Sequence, residues 1–120
     1  MSDTDELITR REGVAGYLTL NRPKAIHALT AAMDEAMKEA LLVWHDTPDV
    51  HVVMIDHSEG RGFCSGGDVA FLRNSALTDN GVSGTRFFYE EYQLNHLMFE
   101  FGKPIVAFMD GIVMGGGVGI

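Results

Sequence analysis

Apolar positions recur at two spacings, and the places where the spacing changes divide the chain into elements. Ile8 to Asn21 (ITRREGVAGYLTLN) predicts two short strands about Gly13, with Val14, Tyr17, Leu18 and Leu20 as strand-forming residues. Asn21-Arg22-Pro23-Lys24 breaks that pattern, because Pro23 has no N–H for a ladder. From Thr30 to His45 the apolar residues Met33, Met37, Ala40, Leu41 and Trp44 return at helical spacing. Thr30 suits the N-cap, and Asp34 and Glu35 lie in or near the first turn, where the helix dipole favours negative charge. Asp46-Thr47-Pro48 ends the helix.

Val50 to Asp56 (VHVVMID) is nearly continuous in apolar residues and predicts a strand buried on both faces. The glycine-rich loop HSEGRGFCSGGD follows, then a short helix around Val69 to Asn74. Leu77 to Gly84 reads as a polar loop with an Asn80-Gly81 turn. Thr85 to Phe101 predicts a second long helix stopped by Gly102-Lys103-Pro104, and Ile105 to Met109 another strand. Strands alternating with helices predict an α/β layered fold.

A buried strand running into a glycine-rich segment occurs twice, in VVMID…FCSGGDV and in IVAFMDGIVMGGGVG. Glycine lets a backbone approach a ligand closely, and the first N–H groups of a helix have no internal partner. Such a junction can aim bare N–H donors at a developing negative charge, as an oxyanion hole does. One such loop is more simply an ordinary tight turn; two of matching design shift the balance towards a site. The common alternatives do not fit. No Gly-x-x-x-x-Gly-Lys-Ser/Thr run is present. Gly115 and Gly117 would require a third dinucleotide-loop glycine at position 120, which is Ile120. Ser65 has Phe63 two residues before it, so it is no nucleophile elbow.

Composition narrows the partners. At 120 residues the chain suits one core, and 46% hydrophobic residues are ordinary for a globular protein. A formal charge of -8 argues against a nucleic-acid partner. Cys64 is the single cysteine and cannot form an internal disulfide, which predicts a reducing, cytoplasmic location. The acidic start MSDTDELITRR shows no signal-peptide pattern, and no apolar run is long enough to span a membrane. His27, His45, His51, His57 and His96 form no metal-ligand spacing, so no metal is expected. Cys64 without a histidine partner reads as a buried structural thiol.

The stretches "LTLNRPKAIHALT", "GRGFCSGGDV" and "KPIVAFMDGIVMGGGVG" resemble the crotonase, or enoyl-CoA hydratase/isomerase, superfamily, in its order and at its usual separations. The resemblance implies a crotonase-like spiral of ββα units, with residues 1–120 forming the N-terminal part of one such domain, truncated before its C-terminal half. It implies acyl-CoA thioesters as substrates, with coenzyme A entering as part of the substrate and no permanently bound cofactor. Gly67 and Gly116 would hold the thioester oxygen, and Ala25, His27, Gly66 and Asp68 would line the path of the coenzyme A chain. Homo-oligomers, trimers or hexamers, are implied as well. The glutamate that hydratases carry two residues past the glycine triplet is replaced here by Gly119. With "FFYEEYQLNHL", this is similar to the 3-hydroxyisobutyryl-CoA hydrolase branch, in which Glu91 would contact the acyl end of a short β-hydroxyacyl group. An enoyl-CoA hydratase or isomerase is the alternative, and a non-catalytic acyl-CoA-binding subunit the third reading.

Glu91 also stands out physically. On a helical wheel it falls inside the stripe of Phe87, Leu94, Met98 and Phe101, where an unpaired carboxylate is costly. Pairing with an arginine or a backbone amide, or a stripe facing solvent, would account for it without a function. Glu90, about 100° away, reads as a solvated charge. Asp68 is most simply a helix N-cap, and Lys24, Arg61 and Arg73 are surface charges with the coenzyme A phosphates as the alternative. The family's principal catalytic acid falls after the triplet. The apolar end MDGIVMGGGVGI, with a helix scarcely begun, predicts the N-terminal part of a longer protein of roughly 200 residues or more, inactive as an isolated piece.

Overall fold

A computed structural model describes residues 4–120. β1 (Leu7–Glu12) and β2 (Ala15–Leu20) form an antiparallel hairpin in which Glu12 faces Ala15. The two-residue turn needs a positive φ, and Gly13 supplies it at +59°. A single 3-10 turn at Pro23–Ala25 leads into α1 (Ala31–His45). Thr30 caps α1, its hydroxyl accepting from Met33 N–H at 3.2 Å. β3 (Val52–His57) returns parallel to β2, and β5 (Ile105–Ala107) lies parallel to β3, so the main sheet runs β1-β2-β3-β5.

Between β3 and β5 the chain makes β4 (Gly62–Cys64), α2 (Val69–Thr78) and α3 (Val82–Phe99). After β5 come β6 (Ile112–Val113) and one turn of helix, α4 (Gly116–Gly119). β4 and β6 pair in parallel as a separate two-stranded sheet. The core joins β2 and β3 (Leu18, Leu20, Val53, Ile55) to α1 (Met33, Met37, Leu41, Trp44), β4 (Phe63) and α3 (Phe87, Leu94).

Several expectations are corrected. In β3, Val53 and Ile55 are fully buried while Val52 and Met54 are half-buried, so one face is core and the other only partly covered. The expected loop HSEGRGFCSGGD contains strand β4, too short and too glycine-rich to show in the pattern. The expected loop Leu77 to Gly84 shrinks to residues 79–81, where Asn80 and Gly81 make the expected turn at φ +59° and +82°. α2 continues to Thr78 and α3 begins at Val82. The polar residues there form a capping network. Ser75 Oγ donates to Asp79 Oδ1 at 2.6 Å and accepts from Gly84 N–H at 2.9 Å. Asp79 also accepts from the Ser83 hydroxyl. These hydrogen bonds hold the Asp79 carboxyl below the usual carboxylate range.

Candidate active site

The small β4–β6 sheet brings the two glycine segments together. Gly62 pairs with Ile112 and Cys64 with Val113, and Met114 N–H donates to Cys64 O at 3.0 Å. Beyond these rungs the segments run on side by side. A methyl group built on Gly66 would lie 3.0 Å from Met114 O and 3.3 Å from Gly116 N. One built on Gly116 would lie 3.7 Å from Gly67 N. Gly66 takes φ +104°, a conformation that side-chain-bearing residues rarely adopt. Among the described residues, neither the Gly67 nor the Gly116 N–H donates to a loop, turn or cap carbonyl. Gly116 is the first residue of α4, where the helix itself has no acceptor for it.

Glu91 reaches this junction from α3. Its side chain is buried at 6% exposure, and Oε1 would sit 2.6 Å from a methyl on Gly116. Oε1 is fully buried without a hydrogen-bond partner, and burial pushes the carboxyl pKa upward. Neither the arginine nor the amide partner considered for this oxygen is present among the described residues. Glu90, expected in solvent, has a side chain only 14% exposed and pairs with Lys38 Nζ at 2.7 Å. The partnership ties α3 to α1.

Of the other expected residues, Ala25 and His27 lie on the neighbouring segment 25–29. Ala25 O accepts from Ser65 Oγ at 3.0 Å, Ile26 O from Ser65 N–H at 2.9 Å, and Gly66 O from Leu29 N–H at 2.7 Å. His27 is fully buried; its Nδ1 accepts from Arg22 N–H at 2.9 Å, which leaves Nε2 to donate to Glu59 O at 2.7 Å. Burial pushes its pKa down. Its side chain is therefore structural, and any ligand contact falls to its backbone. Asp68 caps α2, accepting from Phe71 N–H at 3.1 Å, and pairs with Arg22 Nη2 at 3.2 Å. Cys64 is fully buried, donates to His27 O at 3.2 Å, and burial raises its thiol to about 11, which makes it a poor nucleophile at neutral pH. Lys24, Arg61 and Arg73 are exposed. No group of three His, Cys, Asp or Glu residues suited to a metal occurs among the described residues, and none of their helices is long and apolar enough to cross a membrane.

The sequence reading missed Arg22 and Asn95, and it missed the burial of Asp34. Arg22 donates from Nη1 to Ala28 O at 2.6 Å and pairs through Nε with Glu6 at 2.9 Å, besides holding Asp68. Asn95, one turn beyond Glu91, has a buried Oδ1 without a partner, and its Nδ2 lies 3.7 Å from where a Gly119 side chain would begin. Asp34 is completely buried with neither carboxylate oxygen bonded. The signal for Asp34 was present, since it lies about 20° from Leu41 on the helical wheel of α1.

Residues 15–120 match the model of the enoyl-CoA hydratase/isomerase family. The chain belongs to that family. Its fold is the α/β crotonase fold. A carnitinyl-CoA dehydratase from Mycobacterium thermoresistibile superposes with a TM-score of 0.91 at 44% identity, over 96% of this chain and 34% of that one. An enoyl-CoA hydratase from Rhodobacter sphaeroides 2.4.1 gives 0.90 at 40%, over 97% and 34%. The mitochondrial 3-hydroxyisobutyryl-CoA hydrolase of Xenopus tropicalis is 43% identical over 119 residues, covering 96% of this chain and 30% of its own length. The chain thus spans about a third of the length of these family relatives.

Proposed function

We propose that this chain carries the carbonyl-polarising part of an acyl-CoA thioester hydrolase acting on a short β-hydroxyacyl group such as 3-hydroxyisobutyryl. The observation that carries the reading is the meeting of Gly66-Gly67, Gly116 and the Glu91 carboxylate within a few ångströms. In this reading the thioester oxygen lies between the Gly67 and Gly116 N–H groups. Water adds to the carbonyl carbon, and the charge gathering on oxygen is met by these two donors. Collapse breaks the C–S bond, releasing the acid and free coenzyme A thiol. Glu91 accepts a hydrogen bond from the acyl hydroxyl. The carboxylate that activates water lies outside these residues, in the part of the relatives that this chain does not span.

Support for the hydrolase comes from the name of the Xenopus relative and from Gly119, which has no side chain to serve as acid or base. The second reading, hydration or dehydration of an enoyl-CoA, draws on the names of the two structural neighbours. The deciding assay uses the protein as its gene expresses it. Thiol release from 3-hydroxyisobutyryl-CoA is the expected result. Hydration of crotonyl-CoA without thiol release would replace the hydrolase with the second reading, and tight acyl-CoA binding with neither reaction would leave a binding subunit.

A further inference from the structure

On α1 the molecule buries a second carboxyl that this reading does not use. Asp34 has no exposed surface and no hydrogen bond to either oxygen, and Glu91 has an unbonded buried oxygen aimed at Gly116. Asp34 belongs to α1 and Glu91 to α3, two helices that pack against each other. Two bridges between them bracket Asp34. Glu35 meets Arg86 Nη2 at 3.5 Å, and Lys38 meets Glu90 at 2.7 Å and Gln93 Oε1 at 3.2 Å. Lys38, one turn beyond Asp34 on α1, is thus committed to α3. A lone buried carboxylate without hydrogen bonds is severely disfavoured, and two within mutual influence cannot both ionise cheaply.

We infer that Asp34 is a positioning residue for Glu91: the two buried carboxyls share one proton, which rests on Asp34 and leaves Glu91 as the charged acceptor beside the glycine segments. The use of that acceptor for an acyl hydroxyl rests on the hydrolase reading; the proton sharing itself does not. Burial, then the charges of Glu91 and Glu90, raise Asp34 to about 8, against a smaller opposing pull from Lys38. Cys64, which also feels both carboxyls, stays neutral in that range. Asp34 is the more enclosed of the two, with no exposed surface and both oxygens unbonded, so it is the member that keeps the proton. Above that range a second negative charge appears behind the site, where an anionic oxygen must form. The pair therefore sets an alkaline limit on the reaction.

Carbon-13 carboxyl NMR across pH on the full chain tests the sharing without any acyl-CoA. One resonance should titrate near pH 8 and vanish in Asp34→Asn, which assigns it. In Glu91→Gln, and equally in Glu91→Leu, its midpoint should fall by about one pH unit. A midpoint for Asp34 in the ordinary carboxylate range, or one that neither Glu91 variant moves, would overturn the inference. Where thiol release is measurable, its fall above pH 8 should disappear in Asp34→Asn; an unchanged fall would count against Asp34 as its source. Complete absence of thiol release would sink the hydrolase reading and leave the NMR result to decide the pairing on its own.

Discussion

A methyl group on Gly62 would strike the backbone N and O of Ile112, whereas one on Gly116 would meet the end of the Glu91 side chain at 2.6 Å. Backbone held in a strand pair cannot yield, while a carboxylate end can swing aside. Gly62→Ala is therefore expected to lower stability by about 3 kcal/mol, and Gly116→Ala by about 1 kcal/mol or less. The order should reverse for function. Gly116→Ala displaces Glu91 and crowds the space next to Gly67 N, so thiol release should fall by about a hundredfold. Thermal unfolding and the thioester assay together check both halves. At this scale the sequence singled out Gly67 and Gly116 through the resemblance, and Glu91 because an acidic residue inside an apolar stripe is conspicuous. Asp34 was legible only as a charge suited to a helix's first turn. It does lie in that turn, and it also sits at the margin of the apolar stripe, where the fold carries it inside.

Arg22 joins three elements, reaching Glu6 ahead of β1, the carbonyl of Ala28 ahead of α1, and the Asp68 cap of α2. Its side chain is 21% exposed, so these charge-assisted bonds are partly shielded from water. Arg22→Ala should cost about 2 kcal/mol in chemical denaturation, and Arg22→Lys should recover less than half, because an ammonium cannot reproduce the fork that serves three acceptors. No local pattern announces such a role, since Glu6, Ala28 and Asp68 are gathered by tertiary packing. The long elements behave differently. α1 and the β1–β2 hairpin follow their periodicity closely, ending within a residue or two of the expected limits. β4 and β6, with three and two residues, are too brief for any period to register. The start of α3 was hidden because Asp79, Ser75 and Ser83 resemble loop residues while acting as a cap.

The whole molecule carries a pH signature. Asp34 keeps its proton in the folded state up to about 8, whereas in the unfolded chain it ionises near 3.8. The unfolded state therefore binds fewer protons across that window, and the contribution of Asp34 to stability falls as pH rises through it. Asp34→Asn does not titrate, so it should gain on the parent from pH 4 to pH 8 by a few kcal/mol, then hold a constant advantage. Denaturation midpoints at several pH values measure the gain; a difference independent of pH would contradict it. His27 acts on the other flank. Its folded pKa is depressed, so stability tied to its neutral ring declines as pH drops below 6.5. Both effects depend on which side chains the fold encloses, and periodicity ranks faces without showing which polar residue on a margin goes inside. The fold class could be read from the alternation of strands and helices, together with the family motifs; the convergence of the glycine segments could be anticipated only through the resemblance. What joins those segments is a ladder of main-chain bonds, Gly62 to Ile112 and Cys64 to Val113, continued by Met114 N–H to Cys64 O. Such a hinge-free clamp is indifferent to the identity of most surrounding side chains. On the proposed reading, side chains around the ladder can change with the acyl group while the spacing of the amides stays fixed.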